Sequence, residues 1–221
     1  MVKEVIYMCL GTITKIESQK KGIERVNIYV DGEFAFSCST EIVYSEGLKS
    51  GIALDSDKLG EIVSEDEYLR CKNSALNMLE KSYKSEKEVR DKLSGKGYEE
   101  RTIERVMEFL KKYNFVDDTK YAEMYIKEKI KTDGMSKIKY SLMRKGICEN
   151  IIKDKLEQVR PEAILAAAEE LAEKKYSLLI KNESDTRKIY KKLGEYLMRK
   201  GYSWNESKTV LRKILSFEDR E

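Results

Sequence analysis

The stretch Leu142-Met143-Arg144-Lys145-Gly146-Ile147 decides how this chain is read, because it occurs three times. It stands earlier as Leu93-Ser94-Gly95-Lys96-Gly97-Tyr98 and later as Leu197-Met198-Arg199-Lys200-Gly201-Tyr202, with the block glycines 49 and 55 residues apart. Every copy runs from leucine to a lysine and then a glycine. The residue just past a helix end often needs positive φ, which glycine alone adopts without steric cost, and cations complement the helix C-terminus. Each block therefore closes one helix, and another opens shortly after it. Ten residues beyond the three glycines stand Met107, Leu156 and Leu211, at matching places on that second helix.

A helical pattern also precedes each block, over about 66–83, 117–131 and 161–180. Three helices per repeat, in roughly 50 residues, leave about 12 to 15 residues for each, an ordinary helix length. One-sided apolar faces at the 3/4 spacing support this: Ile103, Val106, Met107 and Leu110; Ala122, Tyr125, Ile126 and Ile130; Leu165, Ala168, Leu171 and Ala172; Val210, Leu211, Ile214 and Leu215. Pro161 suits a first helical turn, and Ser85-Glu86-Lys87-Glu88 is a capping box. Tandem units of this kind stack on their neighbours, so the pattern predicts an elongated array of three three-helix repeats. A single compact helical domain is the alternative.

Residues up to about 60 differ in character. Gly11-Thr12-Ile13-Thr14-Lys15-Ile16-Glu17 and Val26-Asn27-Ile28-Tyr29-Val30 alternate as strands do, and Asp31-Gly32 is a strong hairpin signal before the return strand Glu33-Phe34-Ala35-Phe36-Ser37-Cys38. The two-residue period puts Phe34 and Phe36 on one face. Gln19-Lys20-Lys21-Gly22 reads as a turn, 40–45 as a short helix and 47–51 as another turn. The fold class is thus mainly α behind a small β-rich unit. The expected divisions are 1–60 for that unit, then 61–115, 116–160 and 161–217 for the repeats.

Composition narrows the function. Among 221 residues there is no histidine, which removes imidazole acid–base catalysis, serine and cysteine triads that use it, and imidazole metal sites. Cys9, Cys38, Cys71 and Cys148 are scattered without a Cys-x-x-Cys pair, so free thiols in a reducing compartment are expected rather than zinc or disulfides. No stretch approaches the roughly 20 apolar residues of a membrane span, and Met1-Val2-Lys3-Glu4 lacks the basic start of a signal peptide. A cytoplasmic protein is expected. The carboxylate pair Asp117-Asp118 opens a helix and is read as its cap, where an acid accepts orphan N–H groups. No phosphate-cradling glycine loop and no nucleophile–base pair can be nominated. Neither enzymatic activity nor a cofactor or metal is expected.

Charge is uneven beneath a net of +3. Residues 120–145 carry 8 basic and 3 acidic side chains, and 181–213 carry 10 and 4, whereas 1–60, 86–118 and 146–180 are slightly acidic. The excess falls on the middle helices of repeats two and three, at Lys137, Lys139, Arg144 and Lys145, and at Arg187, Lys188, Lys191, Lys192, Arg199 and Lys200. Any single lysine is explained by a solvated helix face. Two clusters at matching places would form a stripe for phosphates or for an acidic protein groove. Tyr140, Tyr190, Tyr196, Tyr202 and Trp204 interleave with this charge, either as packing aromatics or as platforms for bases.

A capped helix at 85–93, Lys96-Gly97-Tyr98, then Asn114-Phe115-Val116-Asp117-Asp118-Thr119-Lys120-Tyr121-Ala122 and the block at 142–147 together resemble RecX, the regulator of the bacterial recombinase RecA. The likeness spans about 65–215, and the β-rich front is similar to the extension of longer members. The resemblance implies a non-enzymatic regulator of homologous recombination and DNA repair. Such a protein binds RecA filaments on single-stranded DNA along the helical groove and inhibits recombinase, ATPase and coprotease activities; a monomer with direct DNA contact available to it is expected. Gly95 departs from the arginines of the other blocks, which makes repeat one the weakest binder of anions. The competing readings are a stand-alone single-stranded nucleic-acid-binding protein and a helical scaffold for another acidic protein.

Overall fold

A computed structural model of the chain describes residues 9–19 and 22–216. Met1–Glu4 and the turn residues Lys20 and Lys21 lie outside the described residues, as does the side chain of Cys9. Among the described residues, those up to Ser82 together with Arg90–Lys112 form one compact unit, and Tyr83–Val89 together with those from Tyr113 onward form a second.

The first unit opens on strands β1 (Cys9–Gln19), β2 (Gly22–Val30) and β3 (Glu33–Ser39), which with β4 (Ala53–Asp55) make an antiparallel sheet of order β3-β2-β1-β4. Asp31 and Gly32 take φ of 50° and 91°, the positive pair that a tight right-twisting hairpin demands. The Asp31 carboxylate accepts the Thr12 N–H at 2.9 Å, which ties this turn to β1.

Phe34 and Phe36 do not share a face. Tyr29 faces Phe34 and its neighbour Ile28 faces Phe36, so two steps along β3 answer one along β2. This β-bulge around Ala35 inverts the alternation. Phe36 packs on the core, while Phe34 lies exposed with its ring edge-on to Tyr29, centroids 6.0 Å apart. The three-residue β4 is too short to show alternation in the sequence.

Ile13, Val26, Ile28, Cys38, Leu54, Ile42 of helix α1 (Thr40–Ser45), and Ile62 and Leu69 of helix α2 (Ser56–Lys81) form the core of this region. α2 starts about ten residues before its apolar pattern does, because Asp55 caps it by accepting the Lys58 N–H at 2.7 Å. Asp66 of α2 is buried and fully answered: Arg25 donates to both carboxylate oxygens at 3.2 and 3.0 Å, and the Ser39 N–H donates at 2.9 Å. Burial pushes the neighbouring Cys38 thiol up to about 11, so it is protonated at neutral pH.

Helices α3 (Glu86–Ser94) and α4 (Glu100–Lys112) complete the first trio with α2. α4 packs on α2 and buries Ile103, Val106, Met107 and Leu110. The second trio is α5 (Asp118–Lys129), α6 (Met135–Arg144) and α7 (Glu149–Glu157), around Ala122, Ile126, Ile138, Leu142, Ile147 and Ile152. The third is α8 (Pro161–Leu179), α9 (Thr186–Lys200) and α10 (Trp204–Ser216), around Ala168, Ala172, Leu193, Leu197, Val210 and Leu211. Ile130 and Val159 pack against both of these cores.

The three blocks end α3, α6 and α9 identically. Gly97, Gly146 and Gly201 have φ of 85°, 82° and 94°. Their N–H groups donate to Ser94, Met143 and Met198, all at 2.9 Å, and the following residue donates to Leu93, Leu142 or Leu197. This paired bonding satisfies carbonyls that a helix end otherwise leaves orphaned.

In the second unit this cap does more than end a helix, because it docks on the start of another. At the end of α9, the Lys200 carbonyl accepts the Gly134 N–H at 2.8 Å and the Gly201 carbonyl accepts the Ser136 N–H at 3.2 Å. A Cβ on Gly134 would come within 2.3 Å of the Gly201 carbonyl carbon, so only glycine fits. At the end of α6, the Lys145 carbonyl accepts the Ser85 hydroxyl at 2.6 Å, and Gly146 lies against Lys87. Ser85 and Glu88 there form a reciprocal cap, the Ser85 N–H donating to Glu88 at 3.1 Å and the Glu88 N–H to Ser85 at 3.3 Å.

Lys145 Nζ lies 2.6 Å from Glu88 Oε1 and about equally over the rings of Tyr121 and Tyr125, 5.4 and 5.5 Å away. Partial burial opposes ionisation of both partners. The bonds that Glu88 receives from Lys145 and the Ser85 N–H outweigh it and hold its carboxyl below the usual range. Lys145 is held above its ordinary value in the same way, by Glu88 and Tyr121.

Two outcomes follow for stability. At Gly97 nothing lies within 4 Å of an added Cβ, so Gly97→Ala loses only the left-handed backbone penalty, about 1–2 kcal/mol. Gly201→Ala also meets the Lys137 Cβ at 2.5 Å and N at 2.7 Å, and should lose roughly 3 kcal/mol or more in urea denaturation. Equal losses would show that the docked contact adds nothing. For Glu88→Gln, a depressed folded pKa stabilises above the unfolded carboxylate range and fades as pH falls through the folded value. The variant should lose about 1 kcal/mol near neutrality, given its partial exposure, and nothing once pH is low enough to protonate Glu88 in the wild type. Denaturation at the two pH values checks this.

Candidate partner-binding surface

The ten cations nominated from sequence sit on α6, α9 and the caps that close them, and the structure sorts them by what holds each one. Lys145 is committed to Glu88 and the two tyrosines. Lys137 is bonded to Asp133 at 2.6 Å, with its Cβ against Gly201. Lys200 is half-buried, 4.0 Å from the same Asp133 and above the Tyr196 ring. These three maintain the docked ends of the middle helices.

A second group is exposed but engaged. Lys139 pairs with Glu149 at 2.8 Å and Lys192 with Glu183 at 3.0 Å. Lys188 and Arg199 reach Asp185 and Glu195 only at 4.0 and 3.9 Å. Exposed pairs of this kind contribute little and give way easily to a better partner. Glu149 is exposed and Glu183 half-buried, and their lysines hold both carboxyls below the usual range.

Arg144, Arg187 and Lys191 are exposed and make no ion pair among the described residues. They are the cations free to receive an anion without displacing one. Arg187 follows the cap of α9, where Asp185 accepts the Arg187 and Lys188 N–H groups at 2.9 and 3.3 Å. Arg144 ends α6, and the next residue begins its glycine cap.

The interleaved aromatics divide the same way. Tyr202 is buried, which pushes its phenol up to about 12, and Tyr190 and Tyr196 pack against the third core. Tyr140, at 64% exposure, and Trp204, at 50%, keep their rings accessible. Asp117 and Asp118 both serve helix ends: Asp117 accepts the Thr119 and Lys120 N–H groups at the start of α5, and Asp118 accepts the Glu86 N–H of α3 at 2.8 Å. Those backbone donors hold the Asp117 carboxyl low. Among the described residues, no cluster of acids and cysteines could hold a metal ion, and no helix is long and apolar enough to cross a membrane.

Sequence reading missed three features here. Glu88, which takes up Lys145 from 57 residues away, and Asp133, which reaches Lys200 from 67 residues away, leave no local trace of those pairs, although Asp133 stands only four residues from Lys137. The reciprocal cap of Ser203 and Glu206, 2.6 Å from the Ser203 N–H, was signalled by Ser203-Trp204-Asn205-Glu206. The third, exposed methionines at the ends of α6 and α9, left its signal in the repeated blocks themselves.

Comparison with known proteins agrees with this architecture segment by segment. Family models match the chain as the regulatory protein RecX N-terminal domain over residues 11–55, and as the first, second and third RecX three-helix domains over 71–110, 117–156 and 162–211. Regulatory protein RecX of Clostridium acetobutylicum is 51% identical over 208 residues, 93% of this chain and 97% of the relative. That of Clostridium perfringens strain SM101 is 48% identical over 212 residues, 96% of this chain and all of the relative. A crystal structure of a regulatory protein RecX superposes with a TM-score of 0.70 at 30% identity, covering 91% of this chain and 98% of its own. The RecX of Lactobacillus salivarius gives 0.60 at 28%, covering 67% and 97%. With every segment of the fold matched and relatives aligned along nearly their whole length, the chain belongs to the RecX family of regulatory proteins.

Proposed function

We propose that this chain is a non-enzymatic cytoplasmic regulator of homologous recombination that acts on RecA filaments assembled on single-stranded DNA. It binds along the filament's groove as a monomer and restrains RecA's recombinase, ATPase and coprotease activities. The observation that carries this reading is the set Arg144, Arg187 and Lys191, exposed cations without ion pairs among the described residues, on the middle helices of the second and third trios. Arg199, Lys188, Lys192 and Lys139 reinforce it by exchanging weak internal pairs for partner anions. Lys137, Lys145 and Lys200 act indirectly, by fixing the helices that present the others. The first trio has Gly95 where the others have arginine and contributes least.

Exposed Tyr140 and Trp204 favour some direct contact with single-stranded DNA, since a solvent-facing ring near cations can stack a base. As a stand-alone activity this would show strong, steeply salt-dependent binding to naked strands.

The test is titration of the full chain into RecA's DNA-dependent ATP hydrolysis and strand exchange, with naked-strand binding followed in parallel. Inhibition should appear well below the concentration that coats naked DNA. Arg144→Glu, Arg187→Glu and Lys191→Glu together should weaken filament binding by at least about tenfold without lowering the melting temperature, since none of the three is paired within the fold. Unchanged affinity in the folded triple variant removes these residues from the contact surface.

A further inference from the structure

The docked ends of α6 and α9 present one more feature twice. Leu142 and Leu197 are fully buried, and the next residues, Met143 and Met198, turn outward and are 48% and 51% exposed. Each is followed by an exposed arginine: Arg144, with no ion pair among the described residues, and Arg199, whose contact to Glu195 is 3.9 Å long. For a solvent-facing helix position, lysine, glutamate or glutamine forms helix as well as methionine does, so folding gains nothing from an apolar side chain there. Yet the same Met-Arg pair stands immediately before the Lys-Gly cap in both trios. In the first trio its place is taken by Ser94-Gly95.

The docking of α9 on α6 fixes how the two pairs relate. Because the end of α9 meets the start of α6, one pair lies about one α6 length from the other, on the order of 15 Å for its 10 residues. Methionine is long, unbranched and polarisable, and adapts to an apolar depression on another protein, but it offers nothing to a phosphate. Arginine beside it can grip a carboxylate with two parallel hydrogen bonds. A ligand made only of phosphates would be served by the arginines alone.

We propose that Met143-Arg144 and Met198-Arg199 are two copies of one docking element, seated on equivalent spots of adjacent, identical protein subunits, each spot an apolar depression beside a carboxylate. This rests on the filament reading above and deepens it: the periodic partner is gripped through its protein surface, in register with the repeat of this chain. Two weak contacts on a fixed joint then act together, because the second forms at high effective concentration once the first is made.

The experiment uses the full chain with Met143→Ala, with Met198→Ala, and with both, exposed sites where neither change disturbs the core. Binding to RecA filaments preformed on a labelled single-stranded oligonucleotide is measured by anisotropy, beside binding to the naked oligonucleotide and thermal unfolding. Each single change should weaken filament binding about 5-fold and the pair about 25-fold, with naked-strand affinity and melting temperature unchanged. If the wild type binds the filament and the double variant binds equally well, this inference fails alone. Equal losses on filament and naked strand would assign the methionines to nucleic acid and overturn the protein contact. A wild-type chain that ignores the filament overturns the proposed function and this inference with it.

Discussion

The second unit depends on a single exchange: carbonyls left over at the end of one helix meet N–H groups left over at the start of another. An α-helix cannot satisfy either set internally. Here the left-handed glycine at the end of α9 aims the Lys200 and Gly201 carbonyls at the Gly134 and Ser136 N–H groups, which lack a side-chain cap of their own. The contact requires glycine on both sides, since a methyl group at 134 or 201 would collide with backbone. The placement of α9 on α6 follows from that backbone-to-backbone fit, with the pairs of Lys137 and Lys200 to Asp133 beside it.

Much of this was legible because helix ends and hairpins are written in local code. The lysine-glycine blocks, the Ser85–Glu88 cap, the Asp31-Gly32 turn and the four apolar faces each concern residues within one or two turns of one another. What escaped was set by context. Nothing in Glu33–Ser39 announces that the pairing with Tyr29 will absorb an extra residue and turn Phe34 outward. The opening of α2 carries Gly60 and a run of charge in place of an apolar stripe, so its cap was overlooked. At the candidate surface, the residue types and helices were legible but the allotment was not. Lys145 and Arg144 are neighbours in sequence, yet only a fold bringing Glu88 alongside decides that the first is structural and the second free.

That allotment bears on how a chain with 43 basic and 40 acidic side chains would hold the anionic partner proposed for it. Net charge of this size gives little long-range attraction. On α6, α9 and their caps, most of the cations are answered within the fold, and under the proposed reading specificity falls to Arg144, Arg187 and Lys191, together with the apolar side chains beside them. The acids are part of the same surface, since Glu149 and Glu183 occupy Lys139 and Lys192 until a better anion displaces them.

The start of α9 differs from that of α6 in one respect with a wider meaning. Asp185 accepts the N–H groups of Arg187 and Lys188, so the donors that an incoming glycine cap would seek are already occupied. Gly134 leaves the equivalent door open for α9. Where Gly134 leaves its neighbours' donors open, the cap of α9 bonds backbone to backbone; where Ser85 caps α3, the capping hydroxyl itself donates to the Lys145 carbonyl from α6.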